Sequence, residues 1–142
     1  MREAIGSSLL FNLVITFVIV MIAFLISSLA YSKAFKVKNR IINIIEKNEG
    51  FDNSLSSEIN NELSNMGYRV SKNHNCKKID NIELVSTGNS YEYCIYEKKT
   101  TNGSYYKVVT YMYFDIPIIG SLLHFPVSGE TKVFYDTYIN YE

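Results

Sequence analysis

From Ser7 to Tyr31 the chain reads SSLLFNLVITFVIVMIAFLISSLAY, without a charged residue, and Asn12 is its only strongly polar side chain. A soluble core helix sets a polar face against an apolar one, and this stretch has no polar face. Leu9 to Ala30 is 22 residues. As a helix rising about 1.5 Å per residue, it matches the roughly 30 Å hydrocarbon core of a bilayer. The pattern predicts a short head and a single transmembrane helix over 1–31, followed by one small domain over 32–142.

The helical period runs on past Tyr31. Ala34, Phe35, Val37, Ile41, Ile42, Ile44 and Ile45 continue an apolar stripe, broken by Lys36, Lys38, Asn39 and Arg40. No Gly or Pro lies between Ser7 and Gly50. This predicts one helix from about Ser7 to Asn48, near 60 Å long, with Gly50 as its stop. Its first half would sit in lipid and its second half on the domain below. A kinked pair of helices is the alternative. Leu55, Ile59, Leu63 and Met66 then mark a second, shorter helix, capped by Asp52 or Ser54 and ended by a left-handed Gly67. Its stripe reads as core packing, without chemistry.

From Tyr68 the period shortens to that of strands. Tyr68–Val70 and Ile82–Val85 are short candidates, separated by a polar loop, Lys72–Asp80. Tyr91–Lys98 and Tyr105–Phe114 are longer and rich in aromatic and β-branched residues, and the Asn102-Gly103 pair between them signals a hairpin. In the second, Tyr106, Val108, Thr110, Met112 and Phe114 share a face, and Asp115-Ile116-Pro117 ends the strand. Ile118–Pro126 is apolar and punctuated by Gly and Pro. Val127–Gly129 reads as a turn into a last strand, Thr131–Tyr138. Two helices followed by several strands predict an α+β fold, with an antiparallel sheet packed on the amphipathic half of the long helix.

Charge adds little. With Arg2 and Glu3 set aside, the remainder carries 13 basic and 13 acidic residues, which gives no electrostatic reason to expect nucleic acid. Twelve Tyr and eight Phe without a Trp point to aromatic strands. Cys76 and Cys94 are an even pair in a tethered domain, the pattern of an extracytoplasmic disulfide, and closing that loop would contribute about 3 kcal/mol. Two unpaired thiols are the alternative. A cleavable signal would have a shorter apolar core, although Ser28-Leu29-Ala30 has the form of a cleavage site. The cluster Lys33, Lys36, Lys38 and Arg40 would by the positive-inside rule lie in the cytoplasm, in conflict with an exported domain.

No nucleophile elbow, phosphate-cradling glycine loop or His-Glu pair at metal spacing is present, and the acidic residues stand singly. His74 and His124 with Cys76 and Cys94 make up the residue types of a Cys2His2 zinc site, but their spacings match no ligand pattern. The expectation is therefore no catalytic residue, no cofactor and no metal. The apolar run Ile116–Val127 either lies buried under the helix or packs against a neighbouring subunit. Asn12 either tolerates the bilayer edge or hydrogen-bonds another helix, for roughly 1 kcal/mol.

A short head ending in Gly6, an uninterrupted helix continuing as an amphipathic stalk, and a small β-rich end together resemble a type IV pilin or pseudopilin. The chain is most similar to the TadE-like minor pseudopilins of tight-adherence systems. The similarity lies in the stalk segment 39–46 (NRIINIIE), a helix ending near Gly67-Tyr68, and the late segments 114–120 (FDIPIIG) and 125–131 (FPVSGET). The resemblance implies a non-enzymatic structural subunit in a pilus or secretion and adherence apparatus. Its partners would be membrane lipid, other pilin-like subunits met through Gly6, Ser7, Ser8 and Asn12, and the assembly machinery. Dedicated export of such subunits would place the domain outside the membrane despite the basic cluster. Pilins processed after Gly6 carry Glu five residues on, where this chain has Phe11 and then Asn12. That departure implies a minor or initiating subunit. A membrane-tethered module whose aromatic strands hold a peptide or glycan is the rival reading.

Overall fold

The computed structural model describes residues 2–68, 76–88, 90–113 and 124–135. Its elements are α1 (Arg2–Lys47), α2 (Leu55–Asn65), β1 (Glu83–Thr87), β2 (Tyr93–Thr100), β3 (Gly103–Tyr113), β4 (His124–Glu130) and β5 (Phe134–Tyr135). All strand pairs are antiparallel, in the order β1-β2-β3-β4, with β5 beside the start of β3. The fold is α+β, as the pattern predicts.

The long helix is one continuous piece of 46 residues, about 70 Å by its rise, and not a pair of helices. From Ala34 onward its stripe is buried: Ala34, Val37, Ile41, Ile44 and Ile45 face β3 and β4 at spacings of three and four residues. Val37, Ile41, Ile44 and Ile45 join Leu55, Ile59 and Leu63 of α2, Tyr93 and Ile95 of β2, and Tyr106 and Val108 of β3 in one core. Removing three carbons from such a site, as in Ile41→Ala, typically costs about 2–5 kcal/mol. The helix ends in a paired carbonyl lock: Gly50 N–H reaches Ile45 O (3.1 Å) and Glu49 N–H reaches Glu46 O (3.4 Å). Glu49 itself takes the left-handed position, at φ 54°, one residue before the predicted stop.

The second helix closes as expected on Gly67, at φ 60°, with Tyr68 N–H bonded to Leu63 O. Its start differs from expectation. Ser54 precedes the helix with helical dihedrals and no side-chain cap, because its hydroxyl donates instead to the Asp52 carboxylate. The Asp52 carboxylate also accepts Asn53 N–H, so it stabilises the turn before the helix.

Sheet boundaries shift in ways that packing explains. The β2–β3 turn is Thr101-Asn102, and the predicted Asn102-Gly103 pair is not its centre, since Gly103 already pairs with Thr100. Gly103 stands at φ 155° because β5 crosses there: a Cβ at Gly103 would lie 2.0 Å from the Phe134 carbonyl oxygen. Gly103→Ala is therefore expected to cost on the order of 2 kcal/mol, read as a lower denaturation midpoint at unchanged m-value.

The predicted turn at Val127–Gly129 is instead the middle of β4. Pro126 fits there because Tyr111, opposite it, directs its N–H and carbonyl away from β4 to the Tyr68 hydroxyl. The Pro126 nitrogen thus lies on the outer edge, where no ladder donor is needed. The predicted last strand is interrupted after Thr131. Thr131 Oγ1 accepts Tyr106 N–H (3.0 Å), and Lys132 N–H leaves the ladder for the Glu46 carboxylate of α1 (2.8 Å). Apart from Tyr68, the expected strand at Tyr68–Val70 lies outside the described residues, as does most of the Ile116–Val127 run. Of that run, Phe125 is exposed and Val127 half-buried.

Candidate functional site

Two features distinguish the surface. The first is the bare part of α1. From Leu9 to Tyr31 the large apolar side chains are exposed, with Leu29 at 72% and Phe24 at 69%, except Ile26, which is half-buried. By length and composition this helix can cross a membrane. Hydrocarbon offers no hydrogen bonds, so polar groups in such a stretch must find partners within the helix. Thr16 donates to the Asn12 carbonyl and Ser27 to the Ala23 carbonyl, each at 2.8 Å, which meets that demand. Tyr31 stacks near Phe35, with ring centroids 6.2 Å apart, where the bare segment meets the seated one. Aromatic pairs at this level suit a membrane–water boundary.

The proposed contact residues do not form one face. Ser8 and Asn12 lie one turn apart and about 40° around the helix, whereas Gly6 lies at least about 120° from both and Ser7 about 100° or more from either. Ser8, Asn12 and Gly6 are exposed. Thr16, which sequence reasoning missed, extends the Ser8–Asn12 line by another turn; its four-residue spacing from Asn12 is the signal that could have found it.

Of the basic residues below this segment, two meet partners. Arg40 forms a two-pronged pair with Glu62 of α2 (3.1 and 3.0 Å), and Lys38 Nζ stands 4.2 Å from the Phe35 ring centre. The Arg40 hydrogen bond and charge hold the Glu62 carboxyl below its usual range, so this link weakens as pH falls through that lowered value. Lys33 and Lys36 are exposed.

The second feature is the far face of the sheet. Cys76 and Cys94 are disulfide-bonded, with Cα atoms 5.7 Å apart. Neither sulfur is then a thiolate ligand, and among the described residues no group of His, Cys, Asp and Glu could hold a metal. His74 lies outside the described residues. Around the disulfide, Tyr96 and Val109 pack with Ile79, Ile82 and Tyr111, and Tyr96 Oη donates to the Lys77 carbonyl at 2.8 Å. Alternate residues of β2 therefore enter different cores: Tyr93 and Ile95 face the helices, and Cys94 and Tyr96 face the disulfide loop.

Tyr68 ties both layers together. Its hydroxyl accepts Tyr111 N–H and faces the carbonyls of Tyr111 (2.9 Å) and Glu92 (3.2 Å). Burial pushes its pKa far above the ordinary range, and Tyr93, Tyr96 and Tyr111 are also raised by burial. A raised folded pKa gives stability that is complete below the unfolded value, about 10 for tyrosine, and declines above it. Alkaline titration is expected to lower the melting temperature from about pH 10 upward. Tyr68→Phe should flatten that decline while lowering stability at neutral pH, since Tyr111 N–H loses its acceptor.

Comparison with protein-family models, curated proteins and solved structures finds no match to this chain.

Proposed function

We propose that this chain is a non-enzymatic, membrane-anchored subunit of pilin-like architecture, with its disulfide-bonded domain outside the membrane. The observation that carries the reading is the division of one continuous helix, largely bare from Leu9 to Tyr31 and seated on the sheet from Ala34. A helix with no covering of its own needs lipid or other helices around it. The rigid continuation into the domain would transmit the position of one end to the other, as an assembling subunit requires. Ser8, Asn12 and Thr16 form a polar line at four-residue spacing at the start of the bare segment. Small and polar side chains on such a line allow close helix contact. A minor pseudopilin of a tight-adherence apparatus is the specific form of the proposal, drawn from the likeness in the stalk and closing segments.

The test is a Ser8→Leu, Asn12→Leu double variant. It should reduce co-purification with partner subunits several-fold, consistent with roughly 1 kcal/mol per lost interhelical hydrogen bond. The domain should melt unchanged. Undiminished co-purification would count against assembly through this line.

A further inference from the structure

Charge is distributed unevenly along α1. Between Glu3 and Glu46 stand four basic residues, Lys33, Lys36, Lys38 and Arg40, and no acidic one, although the whole chain carries 14 of each sign. Glu62 takes Arg40. Lys38 is only 8% exposed: its ammonium stands over the Phe35 ring and its stem packs against Gly129, where an added Cβ would lie 2.8 Å from Lys38 Cδ. Lys33 and Lys36 remain, both exposed, and among the described residues no carboxylate pairs with either. They lie about 60° apart around the helix, off the stripe that seats on the sheet. With Leu9–Ala30 in the hydrocarbon, Lys33 and Lys36 stand about 4.5 and 9 Å beyond it by the helical rise. The headgroup layer is roughly 5–7 Å deep on each side. Helical side chains lean toward the N-terminus, here toward the bilayer, and a lysine stem carries its ammonium further along apolar surface. Both ammonium groups therefore reach the headgroups.

We infer that Lys33 and Lys36 form a docking surface for anionic phospholipid headgroups in the leaflet nearest the domain. Such a surface rests on the membrane-anchor reading, and it names the lipid that the anchor prefers. Charge complementarity carries it. Two ammonium groups at the depth of the phosphates, with no counter-charge in the fold, gain from a net-negative leaflet by about fivefold per lysine, and a zwitterionic leaflet offers no such gain. The carboxylate of a neighbouring subunit is less well matched, since it would have to enter a layer that phosphates already fill. The seated half of α1 belongs to the domain core, so this lipid contact also sets how high the domain stands over the membrane. The same chemistry holds on whichever side of the membrane the domain lies.

The experiment places the full chain in phosphatidylcholine nanodiscs, raises the fraction of phosphatidylglycerol stepwise, and follows the backbone amides by NMR. Saturable shifts are expected at Lys33 and Lys36 and their neighbours, and should need more phosphatidylglycerol as salt is raised. A Lys33→Gln, Lys36→Gln double variant should raise the fraction at half-saturation at least about fivefold. Its melting temperature should match the parent's, since neither ammonium has a partner in the fold. Lys33→Arg, Lys36→Arg should keep the parent's titration, and so should Arg40→Gln, whose charge Glu62 already holds. Insertion without saturable shifts would overturn this surface and leave the anchor standing. An unchanged titration in the glutamine variant, or shifts reproduced by inorganic phosphate on pure phosphatidylcholine, would do the same. Failure of the parent chain to insert would overturn the anchor reading and this surface with it.

Discussion

A Val18→Arg, Ile22→Arg double variant is expected to leave the membrane fraction and appear in the alkaline-wash supernatant. Both positions are exposed and sit near the middle of the bare segment of α1. An arginine at the centre of a membrane helix opposes insertion by about 3 kcal/mol on translocon-based scales, so two together amount to about 6 kcal/mol. Nothing in the domain touches these residues, and the folded part therefore has no reason to change. The matched Val18→Leu, Ile22→Leu variant should stay in the membrane. Retention of the arginine variant in washed membranes would mean that the apolar stretch is not what holds the chain there.

The second large effect is expected from the Cys76→Ala, Cys94→Ala double variant. The bond closes a loop of 18 residues, for which the chain-entropy model gives about 3 kcal/mol. On a domain of this size such a loss lowers the melting temperature by roughly 15 °C. The location adds to the effect, because Ile79 and Ile82 of the closed loop pack against Cys94, Tyr96 and Val109 around the bond. Reductant added to the parent protein should reproduce the shift, and reductant added to the variant should do nothing. Coincident melting curves for parent and variant would show that the loop is held by packing alone.

The elements read most clearly in the sequence were those with a single strong period. An uninterrupted apolar run followed by Val37, Ile41, Ile44 and Ile45 at helical spacing leads to one helix, and Gly67 marks the end of the next. The strands were harder. Gly103 was read as a turn residue because Asn-Gly is the usual hairpin signal, yet its real constraint is the later crossing of β5, a contact between distant segments. Pro126 was read as punctuation because prolines break ladders. Only the pairing of Tyr111 with Tyr68 shows that its nitrogen lies on the free edge. The division of the closing strand at Thr131 depends on Glu46, 86 residues from its hydrogen-bond partner Lys132, and no local pattern carries that. Of the residues proposed for helix contact, Ser8 and Asn12 lie on one side of the helix and Gly6 on another, a distinction that helical geometry makes and composition does not.

The central claim is a helix spanning the membrane with its disulfide-bonded domain on the outer side. Cysteine labelling in intact cells, with a membrane-impermeant thiol reagent, tests it most directly. The account predicts no labelling of Cys76 or Cys94 before reduction and labelling of both after an impermeant reductant, without permeabilisation. Free thiols that react only once the cells are opened, with no reductant needed, would contradict it.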